Sequence, residues 1–208
     1  MSLTCGAERL NTQKFDTAAE EALVAQCRRQ DYAAFGRIVD AYQARILGFV
    51  RRMLRNEEEA HDVTQEVFIK AYQAMERFDG RSSLRTWLFK IAYNLCVDRA
   101  RRSDRTIHAM SFEADSAEGE TYEVADTRWN PEEVILNDEL FEIVNKSIET
   151  MSDKLRTVLL MHDKEDMSYE EIAGATSVPV GTVKSRLFLA RAHLQKSVAD
   201  YYNTGGRK

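Results

Sequence analysis

The sequence is poor in chain-breaking residues: its 208 residues include only 2 prolines and 9 glycines. So few breakers, with much alanine, glutamate, arginine and leucine, argue for a nearly all-helical protein. Cysteine is scarce as well. Cys5, Cys27 and Cys96 are scattered, odd in number and form no CxxC pair, which excludes a disulfide framework and suits a reducing cytoplasm. Cys27 and Cys96 read as small core residues. No apolar run approaches the length needed to span a bilayer. The opening MSLTCGAERLNTQKF has neither the basic start nor the apolar core of a signal peptide. The four histidines, His61, His108, His162 and His193, do not cluster. His61 has Glu57 and Gln65 at i±4, but glutamine is a poor ligand and no HExxH or paired carboxylates accompany it. No metal, cofactor, small-molecule substrate or enzymatic activity is therefore expected.

Positive charge is in deficit, with a net charge of −5, which at first argues against a nucleic-acid partner. The distribution reverses that inference. Between Glu113 and Glu139, ten acidic residues face the single base Arg128, and this segment masks basic patches on either side of it.

What is present is helical periodicity. Residues 1–15 lack it and are expected to be disordered. Asp16 and Asp31 are N-cap candidates for helices over TAAEEALVAQCRR and Tyr32–Leu54. Asn56 followed by Glu57, Glu58 and Glu59 opens a third helix, since acids favour a first turn. Its inward face is Ala60, Val63, Val67, Ala71 and Ala74. Asp62, Glu66 and Ile69 form a second stripe with Gln65 alongside. A solvated acidic face is the ordinary reading of such a stripe, and Ile69 in its middle points instead to protein docking.

The polar loop from Phe78 to Ser83 feeds a fourth helix, LRTWLFKIAYNLCVDRARR. Leu84, Leu88, Ile91 and Leu95 form its core stripe. Trp87, Lys90, Asn94 and Arg101 share a neighbouring face, and Arg99, Arg101 and Arg102 close its end. Aromatics beside an amide and arginines suit stacking on bases and tracking phosphates. An ordinary core helix with arginines complementing its dipole would use the same residues.

Residues 103–131 are polar, acidic and aperiodic, the composition of a flexible linker. Fully extended it spans on the order of 90 Å. Trp129-Asn130-Pro131 ends it. Residues 132–203 carry four short helical segments, with 204–208 as a tail. Ser168-Tyr169-Glu170-Glu171 is a capping box. Ser177-Val178-Pro179 is a tight turn, and VGTVKSRLFLARAHLQKSVADYY is the last helix. Helix, short turn and second helix make a helix-turn-helix pattern. Val183, Leu187, Ala190 and Leu194 seat its second helix, which leaves Lys184, Ser185, Phe188 and Arg191 for a DNA groove. Gly181 and Thr182 let backbone amides approach phosphate.

Three stretches together, DVTQEVFIKAY (62–72), FDGRSSLRTWLFKIAYNLCVDRARR (78–102) and SYEEIA…SVPVGTVKSRL (168–187), resemble the extracytoplasmic-function sigma factors of the sigma-70 family. The resemblance covers roughly residues 18–200. It implies an all-α fold of two small helical domains, a sigma-2-like bundle (16–102) and a sigma-4-like helix-turn-helix domain (132–203), joined by the flexible acidic linker. It implies docking of Asp62, Gln65, Glu66 and Ile69 on the β′ clamp helices of core RNA polymerase, with the β flap as a second contact. By matching position, it assigns opening of the −10 element and capture of an unstacked base to Phe78 and Asn94. Gly80, Arg81, Ser82 and Ser83 would surround that pocket, and Arg99, Arg101 and Arg102 would hold the DNA backbone. Trp87 is expected to pack the helix rather than touch DNA. Readout of the −35 element falls to Lys184, Ser185 and Phe188, with Gly181 and Thr182 at the helix start and Arg186 and Arg191 as phosphate or core-edge bases. Leu189 departs from the family, where a polar residue is common, so −35 preference does not carry over from any relative. The linker resembles the segment that threads towards the polymerase cleft. An anti-sigma partner, membrane-bound in many relatives, is a further implication. The expected setting is the bacterial cytoplasm. A stand-alone helix-turn-helix regulator is the competing reading; it would bind duplex DNA by itself and would not need residues 57–102.

Overall fold

A computed structural model describes residues 17–107 and 138–203, with side chains over 19–102 and 139–203. The expected N-terminal disorder, most of the acidic linker and the tail lie outside the described residues. Eight α-helices make up the described chain: α1 (Thr17–Cys27), α2 (Tyr32–Leu54), α3 (Glu57–Ala74), α4 (Leu84–Ile107), α5 (Asp138–Thr150), α6 (Asp153–Leu159), α7 (Tyr169–Thr176) and α8 (Val180–Asn203). A single 3-10 turn, Met75–Arg77, follows α3, and a π-turn, Leu160–Lys164, follows α6.

The helix starts are where their capping residues put them. Asp31 accepts from the amides of Ala33 and Ala34, Asn56 from that of Glu59, and Ser168 and Glu171 close the reciprocal capping box at α7. The helix α4 runs to Ile107 and so passes the point where the linker was expected to begin. No proline or glycine interrupts the sequence there.

In the first half α2, α3 and α4 pack together and α1 lies on α2. The stripe foreseen on α3 is buried, except that Ala74 is half-exposed and Thr64 and Phe68 join it. On α4 the buried face is wider than the expected stripe: Leu84, Leu88 and Leu95 are joined by Phe89, Ala92 and Cys96, while Ile91 is half-buried. Phe89 meets Phe49 of α2 edge-on at 5.4 Å. Cys27 and Cys96 are free and buried, and burial pushes the Cys96 thiol up to about 12, with Asp153 adding to the rise.

In the second half α5 and α6 pack on α8, and α7 crosses it. Arg156 of α6, 0% exposed, donates from Nε to the Ile148 carbonyl at 2.9 Å. Its terminal nitrogens reach the carbonyls of Glu149 (3.1 Å) and Met151 (2.5 Å). It thereby satisfies the orphan carbonyls at the end of α5.

The two halves touch. The N-terminal turns of α4 pack against α7, and α2 against α6. Arg45 of α2 grips the buried Glu165 at 2.7 Å, and Arg156 also donates to the Arg52 carbonyl at 3.2 Å.

Candidate nucleic-acid interface and docking face

The α3 docking residues divide between two surfaces. Gln65 and Ile69, the latter 49% exposed, line a groove of about 520 Å³ between α2 and α3. Phe35, Val39, Gln43, His61, Thr64, Phe68, Tyr72 and Gln73 complete it. Tyr72 is the hinge of its aromatic wall, stacked on Tyr32 at 5.5 Å and meeting Phe35 edge-on at 5.0 Å. Asp62 is exposed outside the groove. Glu66 turns the other way, towards Lys70 at 3.6 Å and Arg99 of α4 at 3.5 Å. The α2 side of the groove was missed because its residues read as one amphipathic core stripe. The signal available was Tyr32, a large aromatic at the very start of α2 and 74% exposed.

The loop before α4 is held open-side out by its own contacts. Gly80 has φ +75°, a backbone region that glycine enters without the Cβ clash other residues suffer. Asp79 accepts from the Arg81 amide at 3.1 Å and pairs with its guanidinium at 2.8 Å. Arg81, Ser82 and Ser83 are exposed. Ser83 also caps α4, its hydroxyl accepting from the Thr86 amide at 3.1 Å.

Phe78 is the assigned pocket residue that the structure turns inward. It is 6% exposed, its ring lies 4.8 Å from that of Trp87, and its carbonyl accepts from the Arg28 guanidinium. The 3-10 turn before it delivers the ring to the core, so it offers no free face to a base. Trp87 is half-buried and packs as expected. Asn94 is exposed, two helical turns and about 10.5 Å of rise beyond Trp87. Phe78 is thus buried against Trp87 near the start of α4, and Asn94 lies exposed further along the same helix. What the surface offers is a strip, with the loop at one end and Asn94 towards the other. Arg101 and Arg102 are exposed beyond it, whereas Arg99 is drawn back onto Glu66 and, at 3.9 Å, Glu59.

The helix-turn-helix has the expected anatomy. Val183, Leu187, Ala190 and Leu194 are all buried. Ser177 ends α7 in the left-handed region at φ +58°, and the Val183 amide reaches the Pro179 carbonyl at 3.1 Å. Gly181, Lys184, Ser185 and Phe188 are exposed, with Thr182 and Arg186 half-buried. Lys184 sits over the Tyr169 ring at 5.7 Å. Phe188 (42%) and Leu189 (53%) give the outer face an apolar patch. Arg191 is held inside the domain by Asp163 at 2.7 Å. Burial raises the Asp163 carboxyl, but bonds from His162 and Arg191 outweigh it and hold the group below its ordinary value.

The chain matches two family models, Sigma-70 region 2 over residues 38–106 and Sigma-70, region 4 over residues 141–194. It is 40% identical over 187 residues to the RNA polymerase sigma-H factor of Pseudomonas aeruginosa, covering 86% of this chain and 93% of that protein. It is 35% identical over 184 residues to the ECF RNA polymerase sigma-E factor of Escherichia coli K12, covering 86% and 94%. Among solved structures it resembles CnrH in complex with the cytosolic domain of CnrY, with a TM-score of 0.62, 23% identity and coverage of 87% and 97%. It also resembles the sigma factor RpoE in complex with the anti-sigma factor NepR from Bartonella quintana, with a TM-score of 0.60, 21% identity and coverage of 79% and 96%. At these identities the two structures speak for the fold.

Proposed function

The chain belongs to the extracytoplasmic-function branch of the sigma-70 family, and from that premise we propose how its two domains divide promoter recognition. The α2–α3 groove takes a helical element of core RNA polymerase, with Ile69 and Gln65 as its contacts and Asp62 on the rim. The strip from Gly80 to Asn94 engages the −10 element as it opens, and Arg101 and Arg102 follow the backbone. Unstacking a base costs a few kcal/mol, which stacking and hydrogen bonds on its edge offset. Lys184, Ser185 and Phe188 of α8 enter the major groove at the −35 element, and the helix-turn-helix domain also meets the β flap. The chemistry of RNA synthesis stays with the polymerase.

The observation that carries this reading is the pairing, in one chain, of an exposed recognition face on α8 with a docking groove on the other domain. A simple repressor needs the first and has no use for the second. The Bartonella relative is solved with an anti-sigma factor, and we extend to this chain an anti-sigma partner that covers the same groove. No described helix is long and apolar enough to cross a membrane, so sequestration at a membrane would depend on that partner. The direct test is in vitro transcription with core polymerase on a genomic fragment library. Promoter-dependent transcripts that require the added chain are expected; their absence overturns the reading.

A further inference from the structure

The loop assigned to the −10 element hangs between two fixed points, and the first helix supplies both. Glu20 of α1 accepts from the Leu84 amide, the first of α4, at 2.9 Å. Arg28, one residue past the end of α1, donates to the Phe78 carbonyl. Gln30 adds a bond to Glu76 in the 3-10 turn at 3.1 Å. Residues 79–83, between Phe78 and Leu84, are all exposed. The bonds from α1 therefore sit where the loop leaves the core and where it returns.

The sequence of α1 suits it to this place. Glu20, Val24 and Arg28 stand at i, i+4 and i+8, one face of a helix. That spacing sets the two anchoring residues roughly 12 Å apart along the axis. Leu23, Val24 and Cys27 are buried beside them and hold α1 on α2. The Tyr42 hydroxyl of α2 donates to the Glu20 carboxylate; burial, with the Glu20 charge adding to it, pushes that hydroxyl up to about 12. Glu20 also satisfies an orphan amide of α4 and meets the positive end of its dipole.

We propose that Glu20 and Arg28 are positioning residues for promoter opening: α1 braces both ends of the loop and sets the span over which it meets the −10 strand. The proposal rests on the promoter reading above. Neither residue lies in the stretch matched to Sigma-70 region 2, which begins at residue 38. Inside the loop Asp79 holds Arg81, and Gly80 makes the turn at φ +75°. Those features shape the loop without fixing its ends against the bundle. Ser83 also bonds Glu171 of the second domain at 3.1 Å, so α1 is the brace from within the first. Fixed ends remove freedom that an exposed loop would otherwise lose on binding the strand.

The test uses the full chain as wild type, Glu20→Ala, Arg28→Ala and Glu20→Gln, whose amide oxygen still accepts from Leu84. Val24→Ala is the control, because it thins the packing of α1 and leaves both bonds in place. In the free chain, hydrogen exchange of the Leu84 amide should quicken roughly tenfold in Glu20→Ala, the effect of one charge-assisted bond. It should stay near wild type in Glu20→Gln. With core polymerase, on a promoter taken from the fragment library, Glu20→Ala and Arg28→Ala should open the −10 element roughly tenfold more slowly with core affinity unchanged. Glu20→Gln should recover most of that rate, and a template already unpaired at −10 should restore transcription by both alanine variants. Unchanged Leu84 exchange in Glu20→Ala overturns the brace. Faster exchange with wild-type opening overturns the positioning role. So does Val24→Ala opening as slowly as Glu20→Ala at a temperature where both are folded, since that marks plain loss of stability. A wild type that yields no promoter-dependent transcript sinks the promoter reading, and the exchange result on the free chain still stands.

Discussion

Glu171 serves two masters: it accepts from the Ser168 amide inside its own domain and from Thr86 and Arg85 of the other. Burial raises its carboxyl, but the Ser168 amide, the Thr86 hydroxyl and Arg85 outweigh burial and pull it from 4.5 to about 2. A carboxylate whose folded value is depressed contributes stability above its unfolded value and loses it as pH falls. The window here runs from about pH 4.5 down to about 2. Discounted for the quarter of the side chain in water, the contribution is about 1–2 kcal/mol at neutral pH. Glu171→Gln should lower the unfolding free energy from urea titration at pH 7 by that amount and flatten the acid limb between pH 5 and 2. An acid limb as steep as the wild type's would show that the carboxylate is not held this way.

Arg156 predicts a much larger loss. Its guanidinium is fully buried among the carbonyls of Ile148, Glu149, Met151 and Arg52, with Asp153 at 3.0 Å as its counter-charge. Burial lowers its pKa, with Arg55 adding to the fall, and arginine remains charged regardless. Arg156→Met fills the space but leaves these acceptors without donors, at about 3–5 kcal/mol. Lysine has one compact head and cannot reproduce the fork. Urea unfolding reads the cost, and a loss under about 1 kcal/mol would contradict it.

Arg156 also marks the limit of what the chain reveals before it folds. The helices, their caps and the α8 core residues Val183, Leu187, Ala190 and Leu194 follow from local rules, because capping and 3.6-residue periodicity act within a few positions. An arginine in LRTVLLMHD looks like a solvated residue until α5 ends against it. The burial of Phe78 was hidden in the same way. Its position in the motif pointed to a base, while its fate is set by Trp87, nine residues on, and by Arg28, fifty residues back. Glu171 was legible as a capping box but not as a bridge, since its other partners lie more than eighty residues away.

The buried Phe78 ring makes a separable prediction. Phe78→Ala opens a cavity beside Trp87 and should cost about 3–5 kcal/mol. Phe78→Leu keeps most of the volume and should cost under about 1.5 kcal/mol. If the ring acts through packing, core-dependent transcription by the leucine variant stays close to wild type at a temperature where it remains folded. A leucine variant that is folded, binds core polymerase and cannot open a promoter would put the ring on DNA after all.

Lys184 and Arg191 have the same charge and different expected effects. Lys184 is exposed over the Tyr169 ring, whereas Arg191 is held by Asp163. Lys184→Ala should weaken holoenzyme binding to −35 DNA and lower the slope of log affinity against log salt by about 1, one phosphate contact's worth. Arg191→Ala should leave that slope nearly unchanged and destabilise the domain instead, because Asp163 loses its cation. Titrations at several salt concentrations, beside thermal unfolding, distinguish the two. Equal changes in slope would place Arg191 on the backbone.

Of the two residues assigned to strand opening, Asn94 is the exposed one. Its amide is exposed on the outer face of α4 and offers two donors and an acceptor to a base edge. Asn94→Ala removes those hydrogen bonds without touching the buried face of α4. Closed-complex formation, which depends on α8 and the groove, should therefore stay near wild type, while the rate of open-complex formation falls roughly tenfold or more, about the loss of one good edge contact. A template already unpaired at −10 supplies the opening that the variant does poorly, so it should restore part of the lost transcription. If the bubble restores nothing while core binding is intact, Asn94 acts elsewhere and the strip from Gly80 to Asn94 is not the strand-opening surface.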